Sequence, residues 1–413
     1  MDGLIRADRV PNPHYYQLPY IYQNIEFSLS CVEDGKYVVA LKNKHFFTEL
    51  DEYDYVYEWL CDGEKVAEGA AMLNGAELDV PAVSAPSGSE IILNVFAVLR
   101  QDEVWASKGF AVAKEQFVVR PFVPSGLSRS EVAPEIAEGE GIVEVSSGKY
   151  RLVFDKASGS LVSWRKSGEE LLEGCLEPYF WKPVNENQRH NSFERRLGTW
   201  KDAADERIVE SVRCRIEEGM AVVEFDMILP VGADYQLCYA VDVEGRLQVT
   251  SSYFPQGERL QLIPKLGFRM RLGADYSDVQ WYGRGPWENY PDRKTGYFVG
   301  NYSMPLKDFA VDYAVPQDNA NRSDVRWFAL SNGNNVLKVT ALQEMNFRAW
   351  PYSEEDLEAA KHPQDLPERD YVNVNIDYKI HGVGGNDGWG ARTMDAYTID
   401  GNQPYQYGFI LEW

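Results

Sequence analysis

Val372-Asn373-Val374-Asn375-Ile376-Asp377-Tyr378-Lys379 alternates apolar and polar residues without a break. Successive side chains of an extended chain point to opposite faces, so this stretch predicts a half-buried antiparallel strand with Asn373, Asn375 and Asp377 toward water. Upstream, Lys149-Tyr150-Arg151-Leu152-Val153-Phe154, the turn Ala157-Ser158-Gly159-Ser160 and Leu161-Val162-Ser163-Trp164 form a hairpin signature. The 413 residues include 11 Trp and 25 Tyr beside 33 Gly and 21 Pro, so short aromatic and β-branched runs alternate with turn chemistry. That is the pattern of an all-β protein. Only 353–361 reads as helix, with Ser353 as N-cap, acids in the first turn and Pro363 as the stop.

Composition also divides the chain. Residues 1–21 hold three prolines without any period and read as a connector. Strand-like runs at 26–32, 36–41, 53–60, 90–98 and 109–119, with turns at Glu33-Asp34-Gly35 and Cys61-Asp62-Gly63, predict a small antiparallel sandwich over 22–119. The Pro-, Ser-, Gly- and Glu-rich stretch 120–140 reads as a linker. Residues 141–413 are too many for a simple sandwich and predict a large two-sheet antiparallel structure.

Several functions are set aside by charge and motif. A formal charge of −23 disfavours nucleic acid or an anionic membrane as partner. No apolar run approaches the roughly 18 residues of a membrane helix. Cys31, Cys61, Cys175, Cys214 and Cys238 are odd in number and widely spaced, which predicts free, mostly buried thiols and neither a disulfide framework nor a zinc site. The five histidines have no ligand spacing. Phosphate-cradling and serine-hydrolase motifs are absent.

Two stretches are richer in uncommon residues than packing requires. The first runs from Trp281 to Arg293 (WYGRGPWENYPDR) and reads as a structural loop, with Glu288, Asn289, Asp292 and Arg293 tying backbone and neighbours together. The second is His381-Gly382-Val383-Gly384-Gly385-Asn386-Asp387-Gly388-Trp389-Gly390. Its glycines narrow the turn and leave the Trp389 indole on a bare backbone platform. An indole so presented can stack on the apolar face of a pyranose, while Asn386 and Asp387 bond hydroxyls or fix the loop. Against that stands the commoner role of a lone Trp as a packing residue.

Taken together, GPWENYPDR (285–293) and VGGNDGW (383–389) resemble the C-terminal part of the LacZ-type β-galactosidases of glycoside hydrolase family 2. MDGLIRADRVPNP (1–13) resembles the segment leaving the catalytic (β/α)8 barrel of those enzymes. YFWKPVNEN (179–187) is similar to the family's F-W-R-A-P-T-D-N-D run, with Asn185, Glu186 and Asn187 in place of D-N-D. The resemblance spans essentially the whole chain. It implies an immunoglobulin-like β-sandwich at 22–119 and, at 141–413, the small-chain domain, an antiparallel supersandwich of the galactose mutarotase kind.

The resemblance also implies an activity: retaining hydrolysis of terminal β-D-galactosides by two glutamates, whose carboxyls must flank the anomeric carbon about 5–5.5 Å apart. In the family both lie in the barrel, so no catalytic residue is expected in this chain and the chain alone should be inactive. Trp389 would be a stacking wall for the sugar, with Asn386 and Asp387 beside it. Residues 185–197, including Asn185, Glu186, Asn187 and His190, would be a mobile loop bordering the pocket. Asp2 matches a sodium ligand whose partners lie upstream; sodium and magnesium are therefore expected in the full-length parent and not here. The implied partners are the catalytic barrel or large subunit and a galactoside, in the cytoplasm or periplasm of a bacterium. Surfaces that would face the barrel could drive self-association into a homo-oligomer. Two other functions compete: a free-standing carbohydrate-binding module, and a mutarotase-like epimerase needing a converging His and Glu.

Overall fold

The computed structural model describes residues 3–33, 36–257 and 259–413. It contains two compact units, one of Gly3–Val123 with Lys294–Asn301, the other of Pro124–Arg293 with Tyr302–Trp413.

The smaller unit is a sandwich of two four-stranded antiparallel sheets. Ile25–Glu33, Lys36–Asn43, Glu77–Pro81 and Met72–Asn74 lie side by side in one sheet. Glu64–Ala70, Tyr53–Cys61, Ile91–Leu99 and Ala111–Arg120 form the other. Ile25, Val39, Trp59, Leu78, Leu93 and Val95 fill the space between. Cys61 pairs with Glu64 across Asp62 and Gly63, both at positive φ, as a two-residue hairpin turn requires. Asp34 and Gly35, the core of the other expected turn, lie outside the described residues. Glu64–Ala70 escaped the sequence reading because its Glu, Lys, Gly and Ala residues carry no apolar alternation.

The segment expected as a period-free connector folds within this unit. Pro13–Gln17 is a 3-10 turn and Leu18–Tyr22 a helical turn. The buried Gln17 donates to Thr295 Oγ1 at 2.6 Å and accepts from the Gly296 amide at 2.8 Å. Inside the expected linker 120–140, Glu135–Glu138 is a strand paired with Ile142–Ser147.

In the larger unit, strands from Glu135–Glu138 to Tyr405–Glu412 join one antiparallel array that closes on itself. The hairpin is formed by Tyr150–Asp155 and Leu161–Lys166, with Gly159 at φ +69° in its turn. Short helices Glu186–His190, Phe193–Leu197 and Leu306–Phe309 were not foreseen, since four or five residues are too few to show a helical period. The helix Glu354–Ala359 has Ser353 as N-cap, its side chain accepting from Asp356 N at 3.2 Å. No helix among the described residues is long and apolar enough to cross a membrane.

Strand Tyr371–Ile380 lies between Lys265–Gly273 and Val336–Trp350, antiparallel to both. Val372, Val374 and Ile376 enter the main core, where complete burial of each such side chain contributes about 1.5–3 kcal/mol. The opposite face corrects the half-buried expectation. Asn373, Asn375 and Asp377 are also fully buried. Register explains how: Asn375 sits opposite Arg269 on one neighbour and Arg348 on the other, so the polar row meets charge from both sides. Glu354 covers it from above, accepting from the side-chain amides of Asn373 and Asn375 at 2.8 Å each.

The cysteines differ from expectation as well. Cys61, Cys175, Cys214 and Cys238 are free but half-buried. Burial pushes the thiols of Cys175, Cys214 and Cys238 up to about 11, which leaves them protonated at neutral pH.

Candidate functional site

The loop that follows strand Tyr371–Ile380 gathers residues from all three motif stretches. Asn185 caps the helix Glu186–His190, its Oδ1 accepting from Gln188 N at 2.8 Å, while its Nδ2 donates to Val383 O at 2.8 Å. Two residues later Asn187 closes a two-point clamp. Its Nδ2 donates to Ala391 O at 2.9 Å and its Oδ1 accepts from Gly390 N at 2.8 Å. Asp292 grips the other arm of the loop, accepting from Val383 N at 3.1 Å and Gly384 N at 2.7 Å. A carboxylate facing two amides is a strong anchor.

Gly382 O is a hub. Gln188 Nε2 and Thr393 Oγ1 each donate to it at 3.1 Å, and His381 Nδ1 lies 2.9 Å away, so the neutral ring with its proton on Nδ1 donates as well. His381 is 3% exposed, packed edge-on against Phe193, and burial lowers its pKa to about 4. Glycine is demanded at two places here. A Cβ on Gly385 would lie 2.4 Å from Ala391 O, and Gly390 has φ +111° with His190 pressed against it.

Held in this way, Trp389 is 87% exposed. Asn386 and Asp387 are exposed beside it. Asp387 fixes the loop, its Oδ1 accepting from Trp389 N at 2.8 Å and Ala391 N at 3.1 Å. Glu186 is half-buried and its amide donates to Gln317 Oε1; His190 is exposed. The stretch expected as a loop at 185–197 is two short helices, Glu186–His190 and Phe193–Leu197.

The run from Trp281 to Arg293 begins in a strand, Asp278–Arg284, where Trp281 and Tyr282 are buried. Its loop proper follows. Glu288 is 2% exposed and accepts from Arg293 Nη2 at 2.7 Å, Ala320 N at 2.7 Å and the Tyr313 hydroxyl. The buried Asn289 donates to Trp287 O and accepts from Ser323 N at 2.9 Å. These contacts fix the turn that presents Asp292.

Beneath the loop lies a charge-balanced layer that sequence reasoning missed. Lys182, Lys265 and Arg348 face Asp318, Asp377 and Glu354, all essentially without exposure. Arg269 joins at the margin, 3.0 Å from Glu177 and 3.5 Å from Glu354. Burial lowers Lys265 to about 8 and also lowers Lys182. Burial pushes Glu354 up, but Arg269 and Lys265 outweigh it and hold the carboxyl below its ordinary range. The available signal was Lys182 itself, a lone cation in the apolar run Phe180-Trp181-Lys182-Pro183-Val184.

Asp2 lies outside the described residues, and no group of three or more His, Cys, Asp or Glu side chains among those described could hold a metal ion. What the arrangement offers is a flat, solvent-facing indole on a backbone fixed from several sides, suited to stacking on a sugar face.

Comparison with known proteins gives two family matches. The model described as "Beta galactosidase small chain" matches residues 146–411, and "Beta-galactosidase, domain 4" matches residues 39–120. A beta-galactosidase of Priestia megaterium is 32% identical over 424 residues, covering 100% of this chain and 40% of that protein. One of Lactobacillus delbrueckii subsp. bulgaricus is 30% identical over 425 residues, covering 100% and 41%. This chain thus spans about 40% of the length of these relatives. Among solved structures, galactose 1-epimerase from Lactobacillus acidophilus NCFM overlays with a TM-score of 0.39 at 8% identity, over 68% of this chain and 98% of that one. So loose an overlay says nothing about what this chain binds. Through the match that takes in most of its length, the chain belongs to the beta-galactosidase small-chain family.

Proposed function

We propose that this chain is the C-terminal portion of a retaining β-galactosidase of glycoside hydrolase family 2. In this reading it completes a galactoside pocket whose two catalytic glutamates reside on a (β/α)8 barrel elsewhere in the parent enzyme, together with the sodium and magnesium sites. Trp389 supplies the stacking wall, and Asn386 and Asp387 stand at its rim. One observation carries the proposal: the indole is exposed at the tip of a loop clamped by Asn185, Asn187 and Asp292. Exposure alone does not set this ring apart from other surface rings; the distant anchors that hold it out do.

The test joins this chain to the barrel-bearing remainder of its parent enzyme and follows hydrolysis of a nitrophenyl β-galactoside. Trp389→Ala should lower kcat/KM by about 10- to 100-fold, and Trp389→Phe should recover part of the loss. The 413-residue chain alone should release no nitrophenol. Unchanged kcat/KM in Trp389→Ala, or turnover by the chain alone that disappears on substituting one of its own glutamates, would overturn the reading.

A free-standing carbohydrate-binding module is the rival that shares the exposed indole. Galactose affinity of the isolated chain, lost in Trp389→Ala, would favour it. A mutarotase-like epimerase needs a histidine that reaches the sugar. His381 is the histidine nearest the loop in sequence, and it is buried and engaged with Gly382 O, where no sugar can reach it.

A further inference from the structure

We infer that Lys182 is a positioning residue for the Trp389 loop, acting through the side-chain amide of Gln188. The inference rests on the reading above for its functional meaning, though not for its geometry. Lys182 is wholly buried, with Nζ 2.9 Å from Gln188 Oε1, 3.4 Å from Asp318 Oδ2 and 3.4 Å from Pro183 O, and lies over the Phe193 ring at 5.6 Å. Its three donors can satisfy only acceptors.

That requirement fixes the amide. Gln188 is itself buried, and with Oε1 turned to the ammonium its Nε2 must point the other way, where it donates to Gly382 O. The reversed amide would set NH2 against NH3⁺ and leave Gly382 O one donor short. Gln188 Oε1 also accepts from Asn185 N at 3.2 Å, and Asn185 Nδ2 reaches Val383 O. One cation thereby sets two of the loop's anchors. Arg348 also contacts Asp318, so the ammonium's particular role is the orientation of Gln188.

Hydrogen-exchange mass spectrometry on the full 413-residue chain tests this without any sugar. Lys182→Met keeps the length of the side chain and removes its donors. Peptides covering 382–391 should exchange about tenfold faster, while those of strand Tyr371–Ile380 stay protected. Lys182→Arg, the residue in the similar family run, should restore slow exchange. Gln188→Leu leaves the Lys182–Asp318 pair in place and should loosen the same peptides, so the proposal stays testable even if Lys182→Met does not fold. Unchanged exchange at 382–391 in Gln188→Leu, or in a folded Lys182→Met, overturns it.

In the enzyme joined to its barrel portion, Lys182→Met should raise KM for the nitrophenyl galactoside several-fold with kcat held within about twofold. Loosened peptides with unchanged KM would leave the positioning link standing and count against the sugar-wall reading, so the two failures are distinguishable.

Discussion

The loop that holds Phe46 and Phe47 out into solvent and the loop that holds Trp389 out are held in different ways. Phe46 and Phe47, in the smaller unit, are 94% and 99% exposed. Their loop is tied by Asn43, whose side chain bonds Thr48 O and His45 N, both within five residues. Trp389 is as open, but its loop is tied by Asn185, Asn187, Gln188 and Asp292, the nearest of which is more than ninety residues away in sequence. Ordering each of those segments costs conformational entropy, which a local turn does not require. Exposure alone is common among surface apolar residues. Exposure sustained by distant parts of the fold is the informative kind.

The largest effect that sharpens this contrast is a pH effect. His381, under the Trp389 loop, has its pKa lowered by burial from 6.5 to about 4. Between those values the unfolded chain binds more protons than the folded one, so stability falls as pH drops from 6.5 toward 4 and the loss levels off below. The contribution is roughly 3 kcal/mol, at 1.36 kcal/mol per pKa unit. Urea denaturation at pH 7 and pH 4.5 should show His381→Leu losing less stability on acidification than the parent chain. Equal losses in both would mean that the loop does not seal the histidine.

Next in size is a pair of glycines. Gly390→Ala must accept a φ of +111° and press on His190, and should cost about 2–3 kcal/mol. Gly109 lies in another loop of the smaller unit, between Trp105 and Phe110, which Asp102 ties locally by accepting from Lys108 N; it also has positive φ, but a Cβ there meets nothing within 4 Å. Gly109→Ala should cost about 1 kcal/mol. Thermal unfolding of both variants compares them directly, and equal costs would break the distinction between the loops. Smallest are the rings themselves. Trp389→Ala and Phe46→Ala should each change folding stability by less than about 0.5 kcal/mol, and only the first should alter galactoside turnover in the joined enzyme. A turnover defect in Phe46→Ala would erase the contrast.

Much of the architecture can be read from local signals. Alternation in 372–379 identifies a strand, Ser353 caps its helix, and the Ala157-Ser158-Gly159-Ser160 turn closes its hairpin, because each is decided within a few residues. What covers a face is a different kind of information. Asn373, Asn375 and Asp377 alternate as a solvent face would, yet Arg269, Arg348 and Glu354 come from other elements to meet them. The same limit applies at the site. Trp389 could be singled out by its glycines, whereas the bond from Asp292 to Val383 and Gly384 joins residues ninety positions apart and has no local signature. Lys182 stands in a recognisable motif, but its burial has no local signature, since one cation in an apolar run fits a surface kink as well as an interior ion pair.

The layer of Lys182, Lys265, Arg348, Asp318, Asp377 and Glu354 contains equal numbers of positive and negative groups, all shut away from water. Removing Asp318 leaves Lys182, and removing Asp377 leaves Lys265, without its ion-pair partner in the interior, which is far more damaging than replacing a matched couple by apolar residues of similar volume. Such a layer therefore changes in twos. Across an alignment of relatives, these six positions should vary as linked pairs, with an acid lost only where a base has been lost beside it.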